Sequence, residues 1–154
     1  APIAGLTLGA SYADTDGANN AVAHKQESGD AYIKYVTGPI AIGFSQLRAH
    51  PNMLKATAAS VHYRTNHYGV QFAVNDALSV SYSEERAKKH TSSTIAGSGT
   101  RTTTADVTIK QKHYQIAYVI GGATLGIAVA DAKNAAYTSN AKAQNTIFSL
   151  AMAF

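Results

Sequence analysis

The sequence predicts an all-β protein: an antiparallel transmembrane β-barrel sheet, whose eight strands supply only part of a larger barrel. Three observations lead there. Bulky apolar residues recur at every second position in segment after segment, and a period of two is that of a strand. The positions between them carry mainly Ser, Gly, Ala and Thr. The connections alternate short and long, as they do in a meander with tight turns at one end and loops at the other.

The elements follow in order. "PIAGLTLGASY" reads as a turn and a first strand, Leu6 to Ala13, with no descending strand before it, as if a hairpin had been cut. Further alternating segments run over Ala31 to Thr37, Ile40 to Arg48, Val61 to Val74, Leu78 to Glu85, Val107 to Ile120, Ala123 to Ala130 and Ala143 to Phe154. "TGP", "NDA" and "GGA" supply the Gly, Asn and Asp that tight hairpin turns use. "DTDGANNAVAHKQESGD", "KKHTSSTIAGSGTRTTT" and "KNAAYTSN" are polar and read as long loops, with the basic "ERAKKH" at a loop edge. The hairpins also repeat: in "HYGVQFAVNDALSVSY" and "HYQIAYVIGGATLGIA", His67 matches His113, Tyr68 matches Tyr114 and Phe72 matches Tyr118. Residues 1–154 form a single β-barrel segment.

Composition decides which solvent each face meets. Only 14% of the residues are charged, against about 25% in soluble proteins. No run approaches the roughly 18 consecutive apolar residues of a membrane helix, so a helical membrane protein is excluded. Bulk lies at Leu8, Ile42, Phe72 and Tyr118, and smallness at Gly9, Gly43, Ser81 and Gly126. A soluble barrel would turn the bulky residues inward. An outer-membrane barrel turns them toward lipid, keeps polar residues around water and places aromatic girdles at the interfaces. The turn asymmetry and the aromatic slots favour the second arrangement. Tyr35, Phe72, Tyr118 and Phe154 would form the girdle on the tight-turn side.

A closed eight-stranded barrel must be filled by its own interior side chains. Small inner residues would leave a void, so a wider barrel follows. Open edges in lipid are not tolerated, which assigns the remaining strands to a preceding portion of the same protein.

The ending "NTIFSLAMAF" resembles the C-terminal assembly signal of bacterial outer-membrane proteins, with Phe148, Leu150, Met152 and Phe154 as its alternate apolar residues. "YGVQFAVNDALSVSYSEE" resembles the penultimate hairpins of Gram-negative general porins. The resemblance covers essentially the whole chain as a C-terminal half. It implies about 16 strands, a trimer in the outer membrane, insertion by the barrel assembly machinery, contact with outer-membrane lipids and lipopolysaccharide, and passive diffusion of small hydrophilic solutes. The inward-folded constriction loop of that family is not identifiable here. The alternatives are a complete eight-stranded structural or adhesive barrel and a soluble lipid carrier.

Lys34, His67, Gln71, Glu85, Gln111, His113 and Gln115 are the candidates for lining an aqueous pore, because hydrated solutes need polar walls and fixed charges bias ion entry. Lys34 and Glu85 offset each other. Arg64, Lys110 and Lys112 share parity with the lipid face but sit toward the loops, within reach of headgroup phosphates or a neighbouring subunit. His67 and His113 have no His-x-His or carboxylate companion for a metal. "DTDG" lacks the later Glu of an EF-hand loop and reads as a turn. No Gly-x-Ser-x-Gly elbow is present, so no enzyme and no cofactor are expected. Zero cysteines exclude disulfides and thiolate metal sites. A net charge of +4 without a basic stripe excludes nucleic acid. "APIAGL" has no basic n-region, so a signal peptide has been removed or never stood at this end.

Overall fold

A computed structural model describes residues 3–15, 22–24, 26–51, 53–54, 59–94 and 101–152. The strands are β1 (Leu6–Thr15), β2 (Val22–His24), β3 (Gln26–Thr37), β4 (Ile40–His50), β5 (Met53–Leu54), β6 (Ala59–Ala73), β7 (Leu78–Thr94), β8 (Arg101–Ile120), β9 (Ala123–Lys133) and β10 (Lys142–Met152). A single 3-10 turn, η1 (Ala135–Tyr137), precedes β10. Eight strands form one antiparallel sheet in the order β1-β3-β4-β6-β7-β8-β9-β10, and β2 pairs with β5 in a separate ribbon. Among the described residues β1 and β10 are not joined, so the sheet is open.

Local chemistry explains the tight turns. Gly38, Gly121 and Gly122 supply positive φ between β3 and β4 and between β8 and β9. At the third hairpin the Asn75 side chain accepts hydrogen bonds from the amides of Ala77 and Leu78, at 2.9 and 2.8 Å. That Asx arrangement closes the chain without glycine. Before β1, the Gly5 carbonyl accepts from the Val36 amide at 2.9 Å, tying the first turn to β3.

Two loops expected from the sequence are shorter than expected. β7 continues to Thr94 and β8 begins at Arg101, so "ERAKKH" lies inside a strand and not at a loop edge. Past Tyr82 the outer positions change from apolar to charged, which hides the period of two, while the backbone ladder continues through β-favouring Thr and Ser. β3 likewise begins at Gln26, within the first polar stretch.

Directly opposed residues in an antiparallel ladder share a face. One row runs Leu6, Tyr35, Ile42, Val70, Tyr82, Tyr114, Val129, Thr146, and the next Ile40, Phe72, Val80, Ile116, Ile127, Phe148. Among the described residues nothing packs over this apolar face: Leu8 is 66% exposed, Ile42 50%, Phe72 41% and Tyr118 43%. Among the described residues only Ala87, Ala132 and Ser92 are buried. A soluble carrier would need those four large side chains in a shared interior, and they are not in one. Fully burying each such side chain stabilises by about 1.5–3 kcal/mol. A whole face left open forgoes an amount on the order of the roughly 5–15 kcal/mol that holds a domain together.

Candidate pore-lining face

The opposite face is built in rows by the same ladder. Thr7, Lys34, Gly43, Gly69, Ser83, His113, Ala130 and Asn145 form one row. On its two sides lie Gly9, Tyr32, Ser45, His67, Glu85, Gln111, Ala132 and Val36, Ala41, Gln71, Ser81, Gln115, Ala128. All seven predicted lining residues therefore fall in three adjacent rows of one face: Lys34 and His113 in the central row, His67, Glu85 and Gln111 in the second, Gln71 and Gln115 in the third. The face is not uniformly polar, since Val36, Leu47 and Ile147 also stand on it.

Within a row, neighbouring strands are tied by polar contacts. The Ser81 hydroxyl donates to Gln115 Oε1 at 3.3 Å, and Ser11 donates to Asp30. Between Lys34 and Ser83 the wall is bare backbone, because Gly43 and Gly69 are opposed there. A shallow depression of about 300 Å³ opens over Lys34, Gly43, His67, Gly69, Gln71 and Ser83. Cation and anion alternate along the face, with Lys34 in one row and Glu85, between His67 and Gln111, in the next. Chemically this is a hydrogen-bonding wall of hydroxyl, amide and imidazole groups.

At the loop end the β9–β10 connection folds back over this face. The Asn134 side chain donates to the Thr108 carbonyl at 2.9 Å and accepts from the Asn140 amide at 3.0 Å. Tyr137 then sits 5.9 Å from the Tyr63 ring, with Lys89 Nζ 5.9 Å above its own ring. Burial first, then Tyr63 and Glu85, push the Tyr137 hydroxyl above its usual range. Nothing in the sequence signals this contact beyond a lone Tyr in a loop of small polar residues.

Of the girdle candidates, Tyr35, Phe72 and Tyr118 occupy successive rows of the apolar face, and Tyr35 shares its row with Tyr82 and Tyr114, whose rings are 5.2 Å apart. Phe148, Leu150 and Met152 lie on the same face, opposite Ile127, Leu125 and Ala123. Phe154 lies outside the described residues.

The apolar band ends near Tyr68 and Tyr82, and a band of charge begins. Arg48, Arg64 and Lys88 are opposed across β4, β6 and β7, and Arg86, Lys110, Lys133 and Lys142 across β7 to β10. One row further out, the His50 and His62 rings stack at 5.1 Å, and His62 and His90 lie 4.5 Å apart. His62 is six residues beyond Tyr68, ~20 Å of strand. Asp106 closes the row, with Oδ1 2.6 Å from His90 Nδ1 and Oδ2 2.6 Å from Lys88 Nζ. A bulge opposite His90 brings Asp106 there. The Lys88 contact foremost, aided by His90, holds the Asp106 carboxyl below its usual range. Partial burial, then the charges of His90 and His50, push His62 below the ordinary histidine range, against the pull of Asp106. Among the described residues, no group of three or more His, Cys, Asp or Glu could hold a metal ion.

Among the described residues no helix is long and apolar enough to cross a membrane, which has no bearing on crossing by strands. Comparison with protein-family models, curated proteins and solved structures finds no match to this chain.

Proposed function

We propose that this chain is part of the wall of an outer-membrane β-barrel channel of the Gram-negative porin kind, through which small hydrophilic solutes and ions diffuse passively. One observation carries the reading: a single sheet layer presents a mainly apolar band on one face and mainly small or polar residues on the other, and among the described residues nothing packs on the band. Water cannot solvate such a band cheaply, whereas hydrocarbon can. The two open edges support completion of the barrel by further strands, since unpaired backbone in lipid costs several kcal/mol per group.

In this reading Lys34, His67, Gln71, Glu85, Gln111, His113 and Gln115 touch the diffusing solute. Discrimination is by size and by weak fields, with no chemical step. Tyr35, Phe72 and Tyr118 rest near the interface, and the alternate residues Phe148, Leu150 and Met152 present the assembly signal. The strand number of about 16 and the three-fold assembly rest on the porin resemblance.

Reconstituting the intact protein in a planar bilayer tests the proposal. Large ohmic conductance steps are expected, and a silent bilayer from correctly inserted protein would overturn it.

A further inference from the structure

Six basic groups crowd one patch of the outer face. Arg48, Arg64 and Lys88 are directly opposed on three neighbouring strands, and His50, His62 and His90 form the next row on the same strands. Like charges placed directly opposite each other destabilise a sheet. Among the described residues acidic relief stands at the edges of the patch: Glu27 of β3 opposite His50, Asp14 of β1 opposite Glu27, Asp106 of β8 on Lys88 and His90, and Glu84 of β7 on Arg86 one row below. One row below, Lys110 of β8 adds positive charge, while Arg86 of β7 is paired with Glu84, its Nε 2.6 Å from Glu84 Oε1. Arg48 Nε donates to Gln46 Oε1 at 3.1 Å, which fixes one guanidinium by a neutral partner.

The patch is also concave. Arg48, His50, His62, Arg64, Lys88 and His90 line a pocket of about 250 Å³. The stacked imidazoles turn their faces to one another, so their nitrogens do not converge as metal ligands would. A pocket with two guanidiniums, an ammonium and three protonatable rings matches one ligand chemistry, a phosphate group carrying one or two negative charges.

We propose that this pocket binds phosphate, and that it binds more tightly in mild acid because His62, between His50 and His90, takes up a proton as the anion arrives. An anion lowers the cost of charging His62 in this basic patch, so binding and protonation are coupled. Binding itself is independent of whether the polar face conducts. That the phosphate is borne by a lipid rests on the membrane reading, which puts the pocket beyond the edge of the apolar band.

The test uses the full chain in a maltoside detergent, which carries no phosphate. Inorganic phosphate is titrated while the imidazole resonances of His50, His62 and His90 are followed by NMR, and sulfate, which does not titrate in this range, serves as the second probe. Sulfate affinity should rise roughly tenfold from about pH 7.5 to about pH 5.5. Arg48→Gln with Arg64→Gln should weaken both anions about tenfold or more, and His62→Gln should flatten the pH dependence. Lys142→Gln, four strands and about 19 Å away, should change nothing. A sulfate affinity independent of pH, or equal losses in the Lys142 and Arg variants, would overturn the proposal. Phosphatidylcholine vesicles with and without bisphosphorylated lipid A separate the sources: His-dependent retention only with lipid A assigns a lipid phosphate, and equal behaviour assigns the free anion.

Discussion

Gly43 of β4 lies directly opposite Gly69 of β6, so two neighbouring strands meet on the polar face with no side chain between them. A Cβ built on Gly69 would come no nearer than 3.8 Å to any neighbour, and one on Gly43 no nearer than 3.6 Å. The gap therefore accepts a side chain. Gly69→Glu should fold normally and add a carboxylate beside Lys34 and Ser83. Two unit charges about 4 Å apart interact by about 1 kcal/mol in water, so cation preference should rise a few-fold. Reversal potentials in a salt gradient measure it, and no shift would remove this face from the conduction path.

Adjacent residues on opposite faces give a sharper test of orientation. Ile116 is in the apolar band and Gln115 in the polar rows. Ile116→Arg should cost about 2–4 kcal/mol of folding stability in lipid vesicles, the range for a charge near the bilayer midplane. Gln115→Arg should cost well under about 1 kcal/mol. Urea titration of vesicle-folded protein measures both, and equal costs would contradict the assignment of faces.

Gly5 has a φ of +81°, and a Cβ there would stand 2.0 Å from the Val36 carbonyl oxygen, an atom of backbone. Gly5→Ala should destabilise by more than the roughly 1–3 kcal/mol of a strained backbone alone, because the β1–β3 ladder must also move. Deuterium exchange should show the loss first at Val36.

Tyr137 overlies the Tyr63 and Lys89 pair at the loop end of the polar face. Tyr137→Ala should raise single-channel conductance without changing the yield of folded protein. Asn134→Ala, which removes the tie to Thr108, should act in the same direction. Conductance unchanged in both would place the turn away from the ion path.

Two groups make the loop end less stable in acid, each in its own pH range. His62 titrates below its ordinary value of 6.5 in the folded chain, so the unfolded chain binds more protons as pH falls through that value. Stability of this end should therefore fall as pH drops below about 6.5. Asp106 is also depressed below 3.8, so its contribution is full above that value and is lost as pH falls through the lower folded value. Amide exchange of β6 to β8 should quicken in two steps, the first removed by His62→Gln and the second by Asp106→Asn.

The information legible in the order of residues is local. The period of two identified the strands and assigned each residue to a face, because alternate side chains must point opposite ways. The tight turns at Gly38, Asn75 and Gly121 also determined the register of β3 with β4, β6 with β7 and β8 with β9, since a short turn leaves no freedom to slip. That alone pairs His62 with His90 and His67 with Glu85. Where a long connection intervenes, the offset is open until two backbones pair. Only tertiary structure decided that Arg48 meets Arg64, that His50 stacks on His62, that a bulge delivers Asp106 to His90, and that Tyr137 returns over Tyr63. Strand pairing at a distance is settled by hydrogen bonds and packing summed over the whole ladder, and no short stretch of residues encodes that sum.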